Sequence, residues 1–382
     1  MRIASAEARC YRVPLPAPWE SATHRITHHE LIVTRLATDE KHEGVGWSYT
    51  VGTGGTGVAA LLSDYLLPGL AGKDPAPVEH IWHDLWRATH DAGGGIARLA
   101  LASLDIALWD LRARAAGQPL CTLLGGTPAP VPAYGSGVNL HLALPDLLAQ
   151  VERWQSRGYA AFKIKVGHDD PEQDVERVRA VRAKIGPRAR LMVDANQKWT
   201  AAEAAQRVRT LEPSDPFWIE EPVIADDVPG NAWVNAHVRP PVALGENVHS
   251  TYQFADYLRQ NAVDIVQPDV ARVGGITEWM KIAHLAQAFN RPVSAHLVVE
   301  ISAHLHCAVP NALILEDVDD GSLTDLGVLR DPIRAERGMF TPPPTPGHGV
   351  RFDWDALRRW EVPPAAAGGE PAPRRGSLFS RE

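Results

Sequence analysis

A closed parallel α/β barrel preceded by a smaller α+β domain is the fold this sequence predicts, on three observations. Residues 1–50 alternate in strand-like fashion. After the Pro/Gly-rich break LLGGTPAPVP, short apolar runs alternate with helical stretches. Each of the last seven runs closes on a polar or charged side chain. Strands that alternate with helices pair in parallel through right-handed crossovers, and eight of them close a barrel.

In the first segment, IASAEARCYRVPL, ELIVTRLATDE and GVGWSYT read as three antiparallel strands. The connection from Pro14 to Glu30 carries Pro14, Pro16, Pro18, His24, Arg25, His28 and His29. It is long for a hairpin turn and is expected to be a functional or disordered loop. From Val58 to about Ala116 the apolar spacing is helical, with Gly117 at the stop position. The small domain is expected to span residues 1–128, completed by about 331–362, and the barrel 129–330. The small, polar segment 363–382 is expected to be a flexible tail.

The barrel runs are PVPAYGS, AAFKIKV, ARLMVDAN, FWIEEP, VALGEN, DIVQPDV, PVSAHL and ALILEDV. No Gly-rich dinucleotide or phosphate-loop fingerprint follows any of them, which disfavours an open doubly wound sheet. The polar residues that close the last seven are Lys165, Asp194, Glu220, Glu246, Asp269, His296 and Glu316, separated by 29, 26, 26, 23, 27 and 20 residues. One β/α unit per gap delivers these groups to the same rim, where barrel enzymes carry their chemistry.

Asp194, Glu220 and Glu246 come from adjacent strands. Without a cation, three converging carboxylates raise one another's pKa. An all-oxygen donor set with no Cys or His suits Mg²⁺ better than Zn²⁺ and leaves positions for water and substrate. Glu221 is an alternative to Glu220: alternation allows only one of the pair to point inward, and the other is expected at the surface. Lys163 and Lys165 share a face, so their ammonium groups are expected to lower each other's pKa and favour a neutral amine base. Asp269 on the neighbouring strand is placed to hold the second nitrogen of His296. His304 and His306 read as packing residues.

The net charge of −8 and pI near 6.1 argue against nucleic acid or an anionic membrane as partner. Three scattered cysteines suggest no disulfide framework. The N-terminus lacks a signal-peptide h-region, and no apolar run approaches a membrane span. A cytoplasmic protein with a small-molecule substrate is the expectation.

The segments FKIKVG, LMVDANQ, WIEEP, GEN, QPDVARVGGIT and SAHLVVEISAHL, with ASLDIALWDLRARAAGQPLCTLLGG before them, resemble the mandelate racemase subgroup of the enolase superfamily over about residues 1–350. The resemblance implies a modified TIM barrel of the (β/α)7β type with an α+β capping domain, one Mg²⁺ per active site, and a homo-oligomer. It implies Asp194, Glu220 and Glu246 as ligands, with the first glutamate of WIEEP favoured over the second. It makes Lys165 the base on one substrate face and His296, backed by Asp269, the acid/base on the other. Glu316 would act on the substrate carboxylate, assisted by Lys163 and Asn196. Asp269 stands where the muconate-cycloisomerase subgroup carries a lysine, which disfavours that subgroup.

The chemistry so implied is abstraction of the proton α to a carboxylate, giving an enediolate stabilised by Mg²⁺. The expected outcome is loss of water from an acid sugar, of the talarate/galactarate type. Ser136, Asn139 and His141 after the first barrel strand, and His24 and Arg25 from the small domain, are expected to meet substrate hydroxyls. The alternative is racemisation or epimerisation of a 2-hydroxy acid. A non-catalytic homologue is disfavoured because no ligand position is missing, and an amidohydrolase barrel because PVPAYGS lacks a His-x-His.

Overall fold

The computed structural model describes residues 1–363. The tail expected at 363–382 lies, from residue 364 on, outside the described residues. The capping domain opens with an antiparallel sheet of β1 (Ile3–Glu20), β2 (Arg25–Thr38) and β3 (Glu43–Thr50). The segment Pro14–Glu30 is therefore not a loop, as the sequence reading had it, but mostly strand, with its turn at residues 21–24. Proline lacks an N–H, yet β1 is an edge strand and tolerates it. The register shift between Pro14 and Trp19 absorbs the mismatch. The hairpin tip leaves the cap and docks on the barrel. The Glu20 amide donates to Val138 O (3.2 Å), Leu140 N–H donates to Glu20 O (3.1 Å), and Trp19 Nε1 donates to Asp319 O (3.2 Å).

Four helices follow: α1 (Gly55–Leu61), α2 (Val78–Thr89), α3 (Ile96–Ala115) and α4 (Leu120–Leu123). Helix α3 is buried along most of its length, and β3 lies against it so closely that a Cβ on Gly44 or Gly46 would meet its carbonyl oxygens at 2.3 or 2.2 Å. Only glycine permits this approach. The contact fixes β3, whose far end carries Tyr49.

The barrel strands are β4 (Val131–Ser136), β5 (Ala161–Lys165), β6 (Arg190–Asp194), β7 (Trp218–Glu220), β8 (Val242–Leu244), β9 (Ile265–Val266) and β10 (Leu315–Val318). They are joined by α5 (Leu144–Ser156), α6 (Pro171–Ile185), α7 (Ala201–Leu211), α8 (Val228–His237), α9 (Thr251–Arg259), α10 (Ile276–Ala288) and α11 (Val299–His306). Pairing is parallel in the order β10-β4-β5-β6-β7-β8-β9. The seventh expected strand, PVSAHL, is reduced to one residue: Val293 bridges Val266 on one side and Ala312 on the other, closing the ring. The chain cannot stay extended there because Leu297 and Val298 both adopt φ +44° to turn into α11. The result is the (β/α)7β barrel with an α+β cap that the sequence resemblance implied.

Residues 339–340 form β11, which pairs with β4 rather than with the cap. Helix α12 (Trp354–Arg358) and the residues after it do return to β1, where Val362 N–H donates to Cys10 O at 2.8 Å. Cap and barrel are also clamped at the loop after β9. Asp105 on α3 accepts from the Thr277 amide (2.9 Å) and hydroxyl (2.6 Å), and Trp82 Nε1 donates to Gly274 O (2.7 Å). No helix among the described residues is long and apolar enough to cross a membrane.

Candidate active site and metal centre

Strand alternation builds the site as a floor and a charged layer. Met192, Trp218 and Ile314 stand two residues before Asp194, Glu220 and Glu316 on the same faces. With Tyr134, Ala161, Ala243 and Ile265 they pack into one apolar cluster. Above it the strands are in register, Lys165 opposite Asp194 and Asp194 opposite Glu220. Asp194, Glu220 and Glu246 each offer one carboxylate oxygen, and the three oxygens lie within 4.8 Å of one another. Burial, with Asp194 and Glu316 beside it, pushes the Glu220 carboxyl up to about 8 despite the nearby Lys163. A buried, all-oxygen cluster in that state fits a hard cation and can hold a metal ion.

The lysines depart from expectation. Lys163 Nζ lies between Glu220 Oε1 and Glu316 Oε1, the latter at 2.7 Å, and Lys165 Nζ meets Asp194 Oδ2. Burial favours the neutral amines, but the surrounding carboxylates hold both ammonium groups above the usual lysine range. Lys163 does lower Lys165, as the pairing argument required, but less than Asp194 raises it.

Glu221 is not the surface acid that alternation predicted. Strand β7 ends at Glu220, and Glu221 takes φ +40°, which cancels the alternation and leaves both glutamates buried. Glu220 Oε2 is held by Trp218 Nε1 (3.0 Å) and Gln267 Nε2 (2.8 Å), while Glu221 accepts only from Asn247 Nδ2 (2.8 Å) and its Oε2 has no partner among the described residues. Asn196, Gln197, Glu221, Leu297 and Val298 all have positive φ just past strand ends. Strain of this kind collects at functional sites.

On the other side of the ligand set, His296 Nδ1 donates to Asp269 Oδ2 at 2.7 Å and Nε2 lies 3.1 Å from Glu246 Oε2. Burial alone would lower the imidazole's pKa; Glu246 and Asp269 carry it up to about 10. Two residues that the sequence reading missed complete this corner. Tyr49, from the cap, donates to the same Asp269 oxygen at 2.5 Å. Arg272 donates to Glu246 Oε1 at 3.2 Å and lies over the Tyr49 ring. Arg272 sits three residues past a strand end that was read, whereas nothing local in GVGWSYT points to a residue 220 positions away.

Tyr49→Phe removes that one hydrogen bond and keeps the ring. The expected result is a roughly 10-fold fall in turnover, the scale at which such supporting hydrogen bonds act, with an unchanged melting temperature. Steady-state kinetics beside a thermal melt check this, and full activity in the variant would remove Tyr49 from the site.

The remaining candidates divide. Glu316 accepts from Ser136 Oγ at 2.8 Å, so Ser136 holds a candidate catalytic group. Asn139 is buried and engaged at both ends of its amide, accepting from the Lys165 N–H and donating to Gln150 Oε1. It is therefore a spacer under β5, not a group facing substrate. His141 and Arg25 are exposed, Arg25 lying 3.8 Å from Glu20. Neither reaches the cavity. Asn196 and His24 do line it, together with Lys165, Glu246, Arg272 and His296, in a space of about 160 Å³. The Asn196 Oδ1 atom is buried without a partner among the described residues. His304 and His306 are packing residues, accepting the backbone amides of Cys121 (3.2 Å) and Ala295 (3.1 Å).

Comparison with known proteins places this arrangement. Residues 5–125 match the mandelate racemase/muconate lactonizing enzyme N-terminal domain, and residues 146–356 match the enolase C-terminal domain-like model. The chain belongs to the mandelate racemase/muconate lactonizing enzyme family. It is 38% identical to a 3,6-anhydro-alpha-L-galactonate cycloisomerase of Streptomyces coelicolor, over 92% of this chain and 97% of that protein. Among solved structures, a magnesium-bound racemase from Streptomyces coelicolor A3(2) superposes with a TM-score of 0.91 at 38% identity, covering 94% of this chain and all of that one. An L-talarate dehydratase from Polaromonas sp. JS666, complexed with Mg and L-glucarate, gives 0.86 at 33% identity over 95% and 98% of the two chains. Family members of this kind are enzymes, both dehydratases and cycloisomerases, and so is this chain.

Proposed function

We propose that this protein is a magnesium-dependent enzyme that abstracts the α-proton of a sugar-derived hydroxy carboxylate and expels a β-oxygen, as an acid-sugar dehydratase does. The observation that carries the reading is one cavity lined by Lys165, Glu246 and His296, with Asp194 against the lysine and Asp269 against the imidazole.

A proton α to a carboxylate is a weak acid because its removal puts a second negative charge on that group. Bound to the three carboxylates, magnesium would neutralise that developing charge. Lys163 and Glu316, paired at 2.7 Å beside Glu220, would support the charge on a substrate carboxylate, and Asn196 Oδ1, without a partner among the described residues, would accept from a substrate hydroxyl. Lys165 would remove the proton from one face as the neutral amine, a form favoured once a cation on Asp194 competes with its ammonium for that carboxylate. His296 works at the other, donating from Nε2 to the departing oxygen while Asp269 holds Nδ1. A β-oxygen that leaves as water makes the enzyme a lyase; one tethered as a ring ether makes it an isomerase. Either outcome would pass through the same enediolate. The opposed bases also favour a second outcome, return of the proton to Cα with inversion.

Incubating a panel of acid sugars and their anhydro or lactone forms with Mg²⁺ in D₂O separates these outcomes. A 2-keto-3-deoxy acid means elimination, and deuterium at Cα in an epimer means racemisation. No deuterium uptake and no product from any α-hydroxy acid would overturn α-proton abstraction.

A further inference from the structure

Away from the barrel mouth, a second cavity lies between the cap and the barrel, and a buried cation opens into it. Arg98, in the first turn of α3, is 8% exposed, and its Nη1 is buried with no hydrogen-bond partner among the described residues. Its guanidinium carbon lies 5.6 Å from the Trp82 ring and 5.8 Å from that of Trp86, two indoles stacked at 6.3 Å and 6°. The acid nearest in its effect, Glu278, has its Oε1 committed to the Thr251 amide and hydroxyl at 2.9 Å. Arg98 thus has a buried Nη1 without a partner and no ion pair among the described residues, an arrangement that a ligand supplying an anion would stabilise.

The space in front of it measures about 430 Å³, within the usual size of small-molecule pockets. Trp86 and the Gly93–Gly95 loop wall it on the cap side. His249, Ser250 and Gln253, at the start of α9, wall it on the barrel side, where Ser250 Oγ caps the Gln253 amide at 3.3 Å. A guanidinium donates two parallel hydrogen bonds to a carboxylate or phosphate, and the indole face accommodates an apolar body beside it.

We propose that this cavity binds a small oxyanion, a carboxylate or a phosphate ester, held by Arg98 against Trp86. The position has a consequence for the barrel. His249 Nδ1 bonds Arg272 O (3.3 Å), and Arg272 reaches Glu246, so a ligand joining α3 to α9 abuts the loop that carries an active-site arginine.

Calorimetric titration of the magnesium-loaded full chain with inorganic phosphate and, separately, with malonate tests this. The active site can also take anions, so the reading rests on the component of binding that variants at this cavity remove. Arg98→Met deletes the charge. Gly94→Asp sets a carboxylate at the mouth, where an added Cβ meets nothing within 4 Å. Each variant should weaken that component at least roughly 10-fold, the scale expected for loss of one charge-assisted hydrogen bond. Whichever of phosphate or malonate binds more tightly names the chemistry of the natural ligand. Should Arg98→Met fail to fold, Gly94→Asp decides alone. No saturable binding of either anion, or binding unchanged in the variants that fold, overturns the proposal.

Discussion

Stripping divalent ions with a chelator should reduce α-proton exchange of a competent substrate by roughly 10³-fold or more, and added Mg²⁺ should restore it. The magnitude follows from the several kcal/mol of charge stabilisation that a metal gives an enolate-like transition state, at 1.36 kcal/mol per factor of ten. Glu220→Gln should show the same loss and resist rescue by Mg²⁺. Its carboxylate is one of three at the centre, and it is gripped by Lys163, Trp218 and Gln267, so an amide there would both lose charge and meet donors it cannot satisfy. Glu221→Gln is the control. Its side chain hydrogen-bonds only Asn247 among the described residues, and a milder effect is expected. Exchange that survives the chelator, or a Glu221→Gln variant more damaged than Glu220→Gln, would move the metal centre elsewhere.

The second large effect separates the two sides of the site. Lys165→Met should lower turnover roughly 10²–10⁴-fold, the usual contribution of a positioned general base. It should also leave Mg²⁺ binding intact or tighter, because Asp194 is freed from its ammonium partner. Asp269→Asn should cause a loss in the same range by a different route. The imidazole then faces an amide instead of a carboxylate, so its tautomer is no longer fixed and its charged form is no longer supported. Solvent exchange distinguishes them: Asp269→Asn should retain deuterium uptake through Lys165 while elimination stops, whereas Lys165→Met should lose uptake on that face. Equal loss of both readouts in both variants would mean that the two groups do not serve opposite faces.

Sequence rhythm made much of this site legible. Asp194, Glu220 and Glu246 follow from period-two strands repeated once per β/α unit, because a parallel barrel brings every strand end to one rim whatever the details of packing. The same rule failed where the backbone left the strand. Glu221 was expected at the surface, but its φ of +40° turned it back into the interior. The segment Pro14–Glu30, with its three prolines, was expected to be a loop because it is long for a hairpin connection. On an edge strand their missing N–H groups cost little, and the hairpin runs through them to the barrel mouth.

By itself, then, the sequence determined the alternation of strands and helices, the ring of charged strand ends and the family they resemble, since all three are carried by local periodicity and motif. Only the tertiary structure decided what surrounds each charge. It raised both lysines among carboxylates instead of letting them depress each other, and it drew Tyr49 from the cap onto Asp269. It spent Asn139 on holding the Lys165 backbone and left Arg98 buried without an anion. The physical reason is the same throughout: a side chain's charge state and partners depend on groups distant in the chain, whose approach is set by how the cap packs on the barrel.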